Sequence, residues 1–90
     1  MTLPLGKVFG TFGALFAFAG APDDDFNSFL GWHANGDWGE VDERDRKANE
    51  FAVENSLRVF SAYTLGSGEK IWIITEADRA ATTLLLPDEY

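Results

Sequence analysis

The stretch Ile71-Trp-Ile-Ile-Thr-Glu-Ala-Asp-Arg-Ala-Ala-Thr-Thr-Leu-Leu-Leu-Pro-Asp-Glu-Tyr90 decides the fold of this chain. Ile71 to Ile74 and Ala80 to Leu86 are short apolar runs of strand length, and Pro87 stops the second. The charged insert Thr75-Glu76-Ala77-Asp78-Arg79 between them is short enough to connect two antiparallel strands. Upstream, from Leu57, the period is also two: Val59, Ser61 and Tyr63 alternate with Phe60, Ala62 and Thr64. Leu65-Gly66-Ser67-Gly68 then supplies two glycines for a hairpin turn into Ile71. Three consecutive antiparallel strands make a meander.

Further outward the period becomes helical. Asp42 suits an N-cap for a helix from Glu43 to about Asn55, with Ala48, Phe51, Ala52 and Asn55 inward and a favourable Glu43/Lys47 pair outward. A second helix opens at Pro22, with Asp23, Asp24 and Asp25 at the positive end of its dipole. Phe26, Phe29, Leu30 and His33 form its core-facing stripe, and Gly36 ends it. Leu5 to Phe12 reads as a first strand able to join a sheet edge, followed by a short helix from Ala14 to Ala19 that ends at Gly20. The expectation is one domain over residues 1–90 with an α+β fold: an antiparallel β-meander of three to four strands, packed on one face by two to three helices.

A hydrophobic content of 46% supports a packed globule rather than a disordered chain. Fifteen acids against seven bases give a formal charge of −8, a field that repels phosphate backbones and favours a basic protein partner over nucleic acid. The absence of cysteine excludes disulfides and thiolate metal sites and fits a reducing compartment, so the expected location is cytoplasmic. Lys7 followed by the apolar residues 8–19, with Ala17-Phe18-Ala19 at the end, loosely matches a secretory signal. Removing it would take the first strand from a small core, and Gly10, Thr11 and Gly13 interrupt a run already too short for a membrane span. Retention as part of the fold, with no membrane contact, is the expectation. Phe12, Phe16 and Phe18 are too many for one helix face and point to pairing with another copy, a homo-oligomer through the Phe-rich N-terminus.

Gly36-Asp-Trp-Gly-Glu-Val-Asp-Glu-Arg-Asp-Arg-Lys-Ala-Asn-Glu50, Ser61-Ala-Tyr63 and the segment Ile71 to Tyr90 together resemble a family of small bacterial proteins, mostly called hypothetical or plasmid-related and sometimes labelled type I restriction endonuclease subunit M. The resemblance implies a bacterial, plasmid or phage setting and an intracellular protein, and it carries no activity with it. A methyltransferase needs a glycine-rich cofactor loop that this chain lacks, and 90 residues are too few for that fold. Ala14 to Ala19 departs from the family in being more apolar.

The chemistry-bearing residues admit few mechanisms. His33 is the only histidine, so a hydrolase or nuclease-like enzyme would have to use it with Asp37, Glu76 and Asp78. A partly buried histidine at a helix C-terminus is the preferred reading. Ser67 lacks the surroundings of a strained nucleophile turn and reads as a hairpin tip. Asp23, Asp25 and Asn27 match the first ligand positions of an EF-hand loop, but Ser28 replaces its glycine and Ala34 its bidentate glutamate, so no metal or cofactor is expected. Glu76, Asp78 and Arg79 read as structural ion pairs, with Arg79 reaching Asp45 or Glu50 on the third helix. Trp32 and Trp38, read as an exposed aromatic pair, lie beside Asp37, Glu40, Asp42, Glu43 and Glu50 and form the candidate protein-binding surface. The functional expectation is a non-enzymatic acidic binding module for a basic protein surface, for example an inhibitor or modulator of restriction or CRISPR machinery.

Overall fold

A computed structural model describes residues 2–90. In chain order the elements are β1 (Lys7–Gly10), α1 (Phe12–Ala19), α2 (Phe26–Ala34), α3 (Glu43–Asn55), β2 (Val59–Thr64), β3 (Lys70–Thr75), β4 (Ala81–Leu85) and a 3-10 turn at Pro87–Glu89. The four strands form one sheet in the order β1-β4-β3-β2, so the fold is α+β. The meander is present: β2 pairs β3 antiparallel with Ala62 opposite Trp72, and β3 pairs β4 antiparallel with Ile73 opposite Leu84. The sheet is nevertheless mixed, because β1 pairs β4 in parallel with Phe9 opposite Thr83.

Alternation along the strands separates two faces. Val59, Ser61 and Tyr63 of β2, Ile71, Ile73 and Thr75 of β3, and Thr82 and Leu84 of β4 are all buried. Against this face pack Ala14 and Ala17 of α1 and Phe29 and Leu30 of α2. Phe29 anchors the aromatic part of this core, edge-on to Phe18 at 5.6 Å and to Tyr63 at 5.2 Å. A second cluster joins Ala52 of α3, Trp38, Val59 and Leu3. α1 and α2 therefore cover one face, as the sequence pattern implies, while α3 lies along the outer edge of β2 with Ala52 against the same core.

Local signals place the helix ends, with two shifts. Asp42 caps α3 by accepting from the Asp45 amide at 2.8 Å, at the expected boundary. α1 starts earlier than expected because Thr11 caps it, accepting from the Ala14 amide at 3.0 Å. α2 starts later than at Pro22: Asp25 is its N-cap, while Asp24 instead accepts from the Gly66 amide at 2.7 Å and ties the chain to the β2-β3 hairpin. Asn35, one residue before Gly36, is the C-cap. Phe26 is largely exposed, so the inward stripe of α2 is Phe29, Leu30, His33 and Ala34.

The roll of α3 also differs from its apolar pattern. Asn49 and Ala52 face inward, whereas Phe51 is exposed. The cause is polar: Asn49 Oδ1 accepts from the Phe60 amide at 3.0 Å and its Nδ2 donates to the Phe60 carbonyl at 2.6 Å. One side-chain amide thus acts as a piece of strand, and satisfying both groups of Phe60 turns the helix.

Candidate functional site

The outer edge of β2 organises the predicted binding residues. Ala62 donates to the Trp38 carbonyl at 3.2 Å and accepts from the Glu40 amide at 2.7 Å, a short parallel bridge that pins the segment before α3 to the sheet. Gly39 lies in the left-handed region at φ 71°, and a Cβ there would collide with the Ala62 carbonyl oxygen, so glycine is required. Tyr63 donates its hydroxyl to the Asp37 carbonyl at 2.6 Å, and burial pushes its phenol up to about 12. The Tyr63 ring lies 6.0 Å from that of Trp32, and the Asp37 amide donates to the Trp32 carbonyl at 2.8 Å. Thr64 donates to Glu40 Oε1 at 2.9 Å, with Lys70 Nζ 3.6 Å from the same carboxylate.

This geometry gathers Trp32, Asp37 and Glu40 around one strand edge, with all three side chains exposed. It does not form the aromatic pair expected from the sequence. Trp38 is only 8% exposed, packed with Leu3, Ala52 and Val59, and its Nε1 has no acceptor among the described residues. Trp38 is an anchor of the fold; Trp32 is the exposed tryptophan. Asp42 serves as the α3 cap, and Glu43 and Glu50 bracket Arg46, with Glu50 at 2.7 Å. Arg46 thereby replaces Lys47 as the partner of Glu43 and holds that carboxyl below the ordinary range.

Arg79 forms none of the expected ion pairs with Asp45, Glu50, Glu76 or Asp78. Its Nη2 donates to the Ala52 carbonyl at 3.0 Å and its Nη1 to the Leu57 carbonyl at 2.6 Å and the Glu76 carbonyl at 3.1 Å. The last turn of a helix leaves carbonyls unpaired and negative, and α3 has no basic residue there. Arg79 supplies that cation from the β3-β4 turn. The joint between helix and sheet therefore exists, made through carbonyls rather than carboxylates. Glu76 and Asp78 remain exposed, with Asp78 accepting from the Ala80 amide at 3.0 Å.

His33 is 1% exposed and sits in a chain of hydroxyls. Thr82 Oγ1 donates to the Leu5 carbonyl at 2.7 Å, so it accepts from Thr75 Oγ1 at 2.8 Å. Thr75 has then used its hydrogen and accepts from His33 Nε2 at 2.8 Å. Nδ1 of the neutral ring is left as acceptor for the Ser61 hydroxyl at 2.5 Å. One carbonyl thus dictates the tautomer. Burial lowers the His33 pKa from 6.5 to about 4. Ser61 beside His33 has the composition of a nucleophile and base, but both are buried, and the far ring nitrogen meets Thr75 instead of Asp37, Glu76 or Asp78. Ser67 lies exposed in the hairpin turn, and no cluster of metal-ligating residues occurs among the described residues.

A feature missed from the sequence is a groove of about 300 Å³ between α3 and the other face of the sheet, lined by Asp45, Asn49, Arg58, Phe60, Trp72 and Tyr90. Arg58 stacks over the Tyr90 ring at 5.1 Å, and Tyr90 meets Trp72 at 5.8 Å. The alternation of Arg58 and Phe60 was its only local signal. No helix among the described residues is long and apolar enough to cross a membrane. Compared with protein-family models, curated proteins and solved structures, the chain finds no match in any of the three.

Proposed function

We propose that this chain is a non-enzymatic binding protein that engages a basic surface on another protein through the outer edge of β2. The observation that carries the reading is the convergence of Trp32, Asp37 and Glu40 on Ala62, Tyr63 and Thr64. A half-exposed tryptophan held edge-on by Phe29 at 4.7 Å loses little freedom on binding, and carboxylates around it select lysine and arginine. Only Glu40, Glu43 and Glu50 of the fifteen acids are in ion pairs with the chain's own bases among the described residues, which leaves a strong external field. In the bacterial, plasmid or phage setting suggested by the family resemblance, the partner is a host protein that handles nucleic acid, of restriction or CRISPR type. The carboxylates would compete there for side chains that otherwise hold phosphates.

The test is affinity capture from bacterial lysate at two salt concentrations, with the wild-type chain beside Trp32→Ala and an Asp37→Lys/Glu40→Lys double variant. A basic partner should be retained at low salt, released at high salt and lost with either variant. Capture that ignores salt, or that survives both variants, refutes the proposal.

A further inference from the structure

The two sheet edges are finished differently. At β2, the outward groups of Ala62 are taken by Trp38 and Glu40, and those of Phe60 by Asn49. At β1, Lys7 donates to the Ala80 carbonyl and Thr11 to the Leu84 carbonyl, both at 3.0 Å, so the odd-numbered residues face β4. The amides and carbonyls of Val8 and Gly10 consequently point away from the sheet. All four β1 residues are exposed, including Val8 and Phe9. Beside this edge is an apolar groove of about 200 Å³ lined by Val8, Phe9, Leu15, Phe18 and Phe26, with Phe12 82% exposed at the start of α1. An open edge next to exposed phenylalanines is a template for strand addition.

We propose that β1 pairs antiparallel with β1 of a second copy, joining two four-stranded sheets across a two-fold axis. The outward residues set the register: Val8 opposes Gly10 of the partner copy, Gly10 opposes Val8, and Phe9 faces its symmetry mate as a close non-hydrogen-bonded pair. Charge does not oppose a like partner at this face, where Lys7 is accompanied by Glu89, whose Oε1 accepts from the Thr11 hydroxyl at 2.6 Å. The first acid in the chain is Asp23, so residues 1–22 carry Lys7 alone while the remainder carries every acid. In this register the two Lys7 residues lie at opposite ends of the ladder, roughly 13 Å apart at about 3.3 Å per residue. The exposed parts of Phe9, Phe12, Phe26, Val8 and Leu15 amount to on the order of 500 Å² per copy, or about 1,000 Å² in total, the lower bound for a specific interface. The contact is distinct from the β2 edge, so each surface can fail without the other.

The test is the mass of the full chain by light scattering from about 1 to 100 μM, a range that spans weak specific association. Wild type should reach twice 9.9 kDa and plateau there. Phe12→Asp and Leu15→Glu both alter exposed positions, and both should give folded monomers. Hydrogen exchange adds an independent readout: the Val8 and Gly10 amides should be protected in wild type and exchange at least about tenfold faster in Phe12→Asp. A wild-type monomer at the highest concentration overturns the proposal, as does a dimer that survives both substitutions or leaves those two amides unprotected. Capture of a monomeric wild type by phosphatidylcholine vesicles would overturn it too, assigning the patch to lipid.

Discussion

Acidification should destabilise this protein as the pH falls from about 6.5 towards about 4, and His33 is the reason. The folded-state pKa is about 4 against an ordinary 6.5, so between these values the unfolded chain binds a proton that the folded chain refuses. The stability His33 supports is therefore complete above about pH 6.5, falls as pH drops, and levels off below about pH 4. The gap is worth about 3 kcal/mol, a large share of the 5 to 15 kcal/mol typical of a small domain. Protonating Nδ1 would also make it a donor facing the Ser61 hydroxyl, which now donates to it, so the hydroxyl would have to turn inside a closed core. Urea unfolding at closely spaced pH values measures the effect, with His33→Gln as the reference because its amide keeps one acceptor and one donor without titrating. The difference between the two curves should slope upward from about pH 4 to 6.5 and be flat on either side. A histidine NMR titration near 6.5, or parallel curves for the two proteins, would refute the reasoning.

Arg79→Ala should lower stability by about 2 kcal/mol and the melting temperature by roughly 8 to 16 °C, because it strips a charged donor from the carbonyls at the end of α3. Exchange protection should fall first in the last turn of that helix. Gly39→Ala should cost more than about 3 kcal/mol, since it combines a left-handed backbone with a collision against a carbonyl fixed in the Ala62 bridge; the midpoint of chemical unfolding measures this. Asn49→Ala should cost about 2 kcal/mol by leaving both backbone groups of Phe60 unpaired, and should raise aggregation by opening the β2 edge, measurable by static light scattering.

What was legible in the sequence follows the range of the forces. The β2-β3 hairpin and its continuation into β4 follow from period-two alternation and two turn glycines, and the start of α3 follows from Asp42, because these signals act within a few residues. The apolar stripe over Phe29, Leu30 and His33 identified most of the inner side of α2. Errors arose where a distant partner outbid the local pattern. α3 looked as though it should bury Phe51, but hydrogen bonding of Asn49 to Phe60 turned it. Asp24 looked like part of a helix start, but the Gly66 amide claimed it. Trp38 looked like half of an exposed pair, yet the main-chain bridge through Ala62 draws its side chain under α3. Only one of the two tryptophans assigned to the binding surface is therefore exposed.

By itself the sequence determined an α+β fold built on an antiparallel meander and the chain's strongly acidic character. Periodicity, turn chemistry and net charge are properties of neighbouring residues or of composition, and they survive without knowledge of the fold. Tertiary structure alone decided that β1 lies parallel to β4, that Arg79 binds carbonyls instead of carboxylates, and that the single histidine is neutral in a directed chain of hydroxyls ending at Leu5. Each of these depends on groups far apart in the chain whose polar atoms had to be satisfied once water was removed, and that requirement exists only in the folded state.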